Sequence, residues 1–149
     1  MRYRPRTVAE ARTRLIQRGH TAHEVDRTVA QARSEGLLDD RAFTKLWIED
    51  CLQSRPLSRR AVRVELSDLG VEAELIAVLL DDLYPPERET PLALELARQR
   101  TGRLSGVDAD RRLPRVVSYL TRRGFPRGLA IRVAKAAALE GTDGGTDDA

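Results

Sequence analysis

The stretch VRVELSDLGVEAELIAVL, residues 62–79, reads as two helices joined at one glycine. Val62, Leu66 and Leu69 share a helical face before Gly70, and Leu75, Ile76, Leu79, Leu80 and Leu83 make a wide apolar stripe after it. A glycine between two such stripes suits the position just past a helix end, where a positive φ causes no Cβ clash. The same grammar recurs in RTRLIQRGHTAHEVDRTV, residues 12–29, and in VSYLTRRGFPRGLAIRVA, residues 117–134. A leucine stands four residues before each glycine: Leu15 before Gly19, Leu66 before Gly70, Leu120 before Gly124. Six residues after come Val25, Ile76 and Ala130, and ten after come Val29, Leu80 and Ala134. The glycines lie 51 and 54 residues apart, so the chain repeats a unit of about fifty residues.

Outward from these cores the chain still reads as helical. Val8, Ala11 and Leu15 precede the first glycine at helical spacing, and Ala22, Val25, Val29 and Ala32 follow it. Phe43, Leu46, Trp47 and Cys51 make a further stripe. Period-two alternation nowhere runs beyond about four residues, so no strand is predicted. SRPLS, residues 54–58, ends one helix and offers Ser58 as N-cap of the next. YPPERETP, residues 84–91, reads as a linker closing on Thr90 as N-cap with Pro91 at the first helical position. TGRLSGVDAD, residues 101–110, reads as a loop in which Asp110 caps the following helix and Pro114 falls in its first turn. The expected fold is all-α, an elongated, curved tandem array of three-helix modules. Module one spans residues 1–37 and lacks its first helix, module two spans 38–84, module three spans 85–140, and 141–149 form an acidic, disordered tail.

Composition narrows the function classes. Hydrophobic residues are 41% of the 149, enough for a core, while aromatics are only 4%, so aliphatic side chains must fill it. No apolar run approaches the roughly 18 residues of a membrane span. The lone Cys51 cannot pair within the chain, which fits a reducing cytoplasm. Two histidines and one cysteine are too few for a typical structural zinc site; His20 and His23 would need Glu24 as third ligand and read better as surface side chains. Cys51 lacks a nucleophile's context and reads as core, and no phosphate-binding loop, nucleophile elbow or zincin motif occurs. No cofactor, no metal and no enzymatic activity are expected. SEGLLDDRAF, residues 34–43, raises the remaining catalytic question. Gly36 reads as the end of one helix and Asp39 or Asp40 as the N-cap of the next, a structural junction. A magnesium-dependent nuclease built on these two carboxylates would need convergent ligands that the sequence does not place near them.

Charge carries the strongest functional signal. The net +3 conceals alternating blocks: +5 over residues 1–34, −3 over 35–54, +2 over 55–69, −5 over 70–92, +8 over 93–135 and −4 over the rest. Arginine accounts for 24 of the 26 basic residues, and its planar fork suits phosphates and carboxylates. The middle helix of each expected module is the basic one. Module one offers Arg12, Arg14 and Arg18; module two offers Arg59, Arg60 and Arg63; module three offers Arg111, Arg112, Arg115, Arg122, Arg123 and Arg127. Such faces attract a phosphodiester backbone or an acidic protein surface.

GLLDDRAFTKLW at residues 36–47, VELSDLGVEAELIAVLL at 64–80, YLTRRGF at 119–125 and RPRTVAEARTRLIQRGH at 4–20 together resemble the RecX family of regulatory proteins. Thr44 stands where that family usually has alanine. The resemblance implies a tandem array of three-helix modules that lies in the helical groove of a RecA–single-stranded-DNA filament. It implies that the protein lowers RecA ATPase, strand-exchange and co-protease activity, with roles in homologous recombination, DNA repair and the SOS response. It further implies a cytoplasmic monomer without membrane contact, able to bind single-stranded and also double-stranded DNA. The alternative reading of the residues is a stand-alone DNA-binding protein using tandem helix-turn-helix-like modules.

Overall fold

The structure is a computed structural model that describes residues 5–143. Among the described residues there are eight helices and no strand: α1 Val8–Gln17, α2 Ala22–Ser34, α3 Asp40–Gln53, α4 Arg59–Asp68, α5 Ala73–Leu83, α6 Pro86–Arg103, α7 Ala109–Arg122 and α8 Arg127–Asp143. The fold is all-α, and the helices follow the repeat as α1–α2, α3–α4–α5 and α6–α7–α8.

The repeated glycines have one local cause. Gly19, Gly36, Gly70 and Gly124 all have positive φ, between 74° and 92°. Each places two amides back onto the preceding helix. Gly70 N–H donates to the Ser67 carbonyl at 3.0 Å and Val71 N–H to the Leu66 carbonyl at 3.1 Å; Gly124 and Phe125 bond Thr121 and Leu120 in the same way at 3.0 and 3.2 Å. This pair of hydrogen bonds is the Schellman motif, in which the residue after the glycine packs on the one whose carbonyl it reaches. The recurring leucine four places before the glycine is that partner. Leu66 with Val71, and Leu120 with Phe125, are both buried pairs. In the first turn the corresponding residue is the exposed His20, and Leu15 is only half-buried.

Helix starts differ from the sequence expectation in two places. α6 opens at Pro86 with Pro85 as N-cap, so Thr90 and Pro91 lie inside the helix rather than at its start. Pro91 costs α6 the bond to the Glu87 carbonyl. The extra turn is held nonetheless, because Glu89 within it accepts the Arg59 backbone N–H at 3.1 Å. α7 opens at Ala109 after Asp108, so Asp110 is its second residue and Pro114 its sixth. α8 continues through Gly141 to Asp143, making the first residues of the expected tail helical; 144–149 lie outside the described residues, as do 1–4. On α3 the inward face is Phe43, Thr44, Ile48 and Cys51, whereas Leu46 is 60% exposed.

The chain packs as two compact units. The first comprises the residues up to Asp50 together with Arg63–Leu83, with Val29, Ile48, Leu66, Ile76 and Leu80 in its core. The second comprises Cys51–Val62 and the residues from Tyr84 on, with α6 laid against α7 and α8 around Leu96, Val116, Leu120, Phe125 and Ala134. No helix among the described residues is long and apolar enough to cross a membrane.

Candidate nucleic-acid and protein interface

Each compact unit contains a joint built on the first turn of a middle helix. In the first unit Thr7 caps α1, its hydroxyl accepting the Glu10 amide at 3.1 Å and donating to the Leu69 carbonyl at 2.6 Å. The Val8 amide, the next orphan donor, is met by Asp40 Oδ1 at 2.9 Å. A Cβ on Gly70 would stand 2.2 Å from that of Ala9, so the turn rests directly on α1. In the second unit Ser58 caps α4, accepting the Ala61 amide at 3.0 Å while its own N–H donates to the Arg123 carbonyl at 3.0 Å. There Glu89 meets the Arg59 amide, and Gly124 sits where a Cβ would meet Ser58 and Ala61 at under 3 Å. Both joints therefore use one design: a carboxylate from the next module's first helix on the first amide, and the next module's Gly turn on the cap.

This geometry divides the two adjacent aspartates. Asp39 caps its own helix through the Ala42 amide at 3.1 Å, while Asp40 caps α1. Gly36 ends α2, its N–H reaching the Arg33 carbonyl at 3.1 Å. No group of three or more His, Cys, Asp or Glu among the described residues is placed to hold a metal ion.

The joints also absorb several of the arginines. Arg59 donates through Nε to the Tyr84 carbonyl at 2.7 Å. Arg123 reaches the Pro56 carbonyl at 3.4 Å and lies over the Tyr119 ring at 5.1 Å, with Arg100 also over that ring at 4.8 Å. Arg112 clasps the loop before its own helix, donating to the carbonyls of Leu104, Ser105 and Val107 at 3.0, 3.2 and 2.6 Å. Arg12 pairs with Asp26 at 2.7 Å. Arg59, Arg112 and Arg123 are thus tied to backbone carbonyls of the fold, and Arg12 is held in an exposed ion pair.

The other candidates stand in solvent. Arg14, Arg18, Arg60, Arg63, Arg111, Arg115, Arg122 and Arg127 are exposed. None of the eight makes an ion pair or side-chain hydrogen bond among the described residues. On α7, Arg111, Arg115 and Arg122 fall at i, i+4 and i+11, one continuous stripe opposite the buried Val116 and Leu120. Arg14 on α1 and Arg18 at its C-cap are i, i+4, and Arg60 and Arg63 are i, i+3 on α4. Arg127 opens α8 and Arg59 opens α4, with no acid in either first turn. A cation in the first turn opposes the helix dipole; at α4 the Glu89 carboxylate on the Arg59 amide offsets it.

Sequence reasoning missed Tyr84 and Glu89. Tyr84 is fully buried, its hydroxyl donating to the Leu57 carbonyl at 2.8 Å, and burial raises its pKa, with Glu89 adding to the rise. The signal was present in PPERE: prolines followed by acids mark a helix start rather than a linker.

Residues 39–80 match the family description "RecX, second three-helix domain". The regulatory protein RecX of Streptomyces coelicolor is 34% identical over 136 residues, covering 91% of this chain and 72% of that one. The chain belongs to the RecX family. The RecX of Amycolatopsis mediterranei is likewise 34% identical, over 89% of this chain and 75% of its own. Among solved structures, RecX from Lactobacillus salivarius superposes with a TM-score of 0.73 at 15% identity, over 92% of this chain and 88% of that one. A second RecX crystal structure gives 0.68 at 23% identity, over 87% and 64%. At those identities the likeness shows the fold alone. The relatives are named as regulatory proteins rather than as enzymes.

Proposed function

We propose that this RecX family member binds the RecA–single-stranded-DNA filament in its helical groove and lowers RecA ATPase, strand-exchange and co-protease activity. It acts by binding rather than chemistry, as a monomer in the cytoplasm, in the service of recombination and repair. The observation that carries this reading is the exposed Arg111–Arg115–Arg122 stripe on α7, which no carboxylate among the described residues neutralises. Arg60 and Arg63 on α4, and Arg14 with Arg18 at the end of α1, supply smaller basic faces of the same kind. A filament presents the same surface at regular intervals, so several weak contacts on one chain add through linkage.

Co-sedimentation with pre-formed RecA filaments tests the reading, with naked single-stranded and duplex DNA as parallel arms. Retention on filaments at salt concentrations that release naked DNA is the expected result. Equal retention on naked DNA favours the stand-alone DNA-binding reading, and no retention on filaments at low salt overturns the proposal.

A further inference from the structure

The half-buried ring of Tyr119 on α7 carries two guanidinium groups. Arg100, in the last turn of α6, has its Cζ 4.8 Å from the ring centroid, and Arg123, the C-cap of α7, has its Cζ 5.1 Å away. The two carbons therefore stand within about 10 Å of each other, no further apart than the screening length in about 0.1 M salt, and the charges repel. The C-terminal end of each helix dipole favours a cation, which accounts for either arginine singly. It does not account for both on one ring. Arg123 reaches the Pro56 carbonyl, whereas Arg100 makes no hydrogen bond or ion pair among the described residues, and its Nε is buried without an acceptor. Stacking alone thus holds Arg100, and a turn of its side chain toward an anion gains hydrogen bonds that the ring cannot give. The Tyr119 hydroxyl is likewise without a hydrogen bond among the described residues, so the shared ring carries a further donor.

We propose that Arg100, Tyr119 and Arg123 form a site for one phosphate group, a phosphodiester of a single strand lying along α7. A phosphate carries its oxygens on a tetrahedron and serves two guanidinium forks at once, where the two oxygens of a carboxylate fill one. Continuity favours a strand over a free phosphate. Tyr119 stands four residues after Arg115 and three before Arg122, on the flank of the exposed stripe, so a strand on that stripe passes the ring. The site rests on the stripe being a strand-binding face, and it adds a contact from a second helix, Arg100 of α6.

The test titrates the whole protein, without RecA, with a single-stranded oligothymidylate and separately with inorganic phosphate. The oligomer is expected to give saturable NMR shifts at the Tyr119 ring. Arg100→Gln is expected to weaken oligomer binding about tenfold and to lower the salt slope by about 0.7, the share of one phosphate contact. Arg103→Gln removes the same charge from an exposed position in the same turn and should weaken binding by no more than about twofold. Circular dichroism and Tm check that both variants remain folded. Inorganic phosphate should shift the Tyr119 ring in wild type and not in Arg100→Gln. A Tyr119 ring unmoved by bound oligomer overturns the site and leaves the stripe of Arg111, Arg115 and Arg122 standing. Equal losses from Arg100→Gln and Arg103→Gln would reduce the effect to net charge and overturn it too. Ring shifts with inorganic phosphate and no binding of the oligomer would give the site to a free phosphate and overturn the strand. A failure to suppress RecA leaves each of these readouts unchanged, so the two readings fail separately.

Discussion

Single residues carry the joints, and their contributions are separable. Asp39 and Asp40 are neighbours in sequence but cap different helices, α3 and α1. Each change to Ala is expected to cost about 1 kcal/mol, the usual loss of a helix cap. Hydrogen exchange distinguishes them: Asp40→Ala should speed exchange at the Val8 amide, and Asp39→Ala at the Ala42 amide. The glycines make a sharper contrast. Gly36 and Gly70 have φ of +74° and +86°, yet a Cβ at Gly36 meets nothing within 4 Å while one at Gly70 stands 2.2 Å from Ala9 Cβ. Gly36→Ala should therefore cost only the left-handed backbone penalty, about 1–2 kcal/mol. Gly70→Ala should add overpacking of about 1–3 kcal/mol. Equal losses in urea unfolding would contradict the joint described for α1.

At the scale of the element, the packing of each helix pair decides what a core leucine contributes. Leu66→Ala and Leu120→Ala should cost about 2–5 kcal/mol, the range for truncating a fully buried leucine, and Leu15→Ala clearly less. The end of α8 is tied to α6 by the two-pronged contact of Arg98 with Glu140, at 2.7 and 2.8 Å. The hydrogen bonds from Arg98 hold the Glu140 carboxyl below its usual 4.5. With the folded value lowered, the contribution is present above the unfolded pKa and lost as pH falls through the folded one. Wild type and Glu140→Gln should thus differ in Tm at neutral pH and converge once pH has fallen through the lowered carboxyl value. Helix content was legible in the sequence because its signals are local: the Schellman turns need only a glycine, a leucine and an apolar follower. Helix starts and inward faces were less legible. PPERE signalled the start of α6, but not that Glu89 meets an amide 30 residues back, and on α3 Thr44 and Ile48 rather than Leu46 take the core side. The face that packs inward is set by partners outside a window of neighbours.

Over the whole molecule the question is which arginines are free to meet a partner. The sequence showed a basic middle helix in each module but not its division of labour. Arg59, Arg112 and Arg123 reach backbone carbonyls fixed by tertiary packing, and Arg12 pairs across to the next helix with Asp26. Arg111, Arg115 and Arg122 share one outward face, clear of such partners. Changing these three to Glu should leave Tm nearly unchanged, whereas Arg112→Ala should lower it by releasing the loop before α7. If the stripe meets single-stranded DNA phosphates, replacing its three arginines should flatten the salt dependence of binding by a slope of about 2. The most direct test of the central claim is RecA's single-stranded-DNA-dependent ATP hydrolysis with sub-stoichiometric protein at low salt. The account predicts suppression by wild type and its loss with Arg111→Glu, Arg115→Glu and Arg122→Glu together in a protein that remains folded. No suppression by wild type, or undiminished suppression by the triple variant, would contradict it.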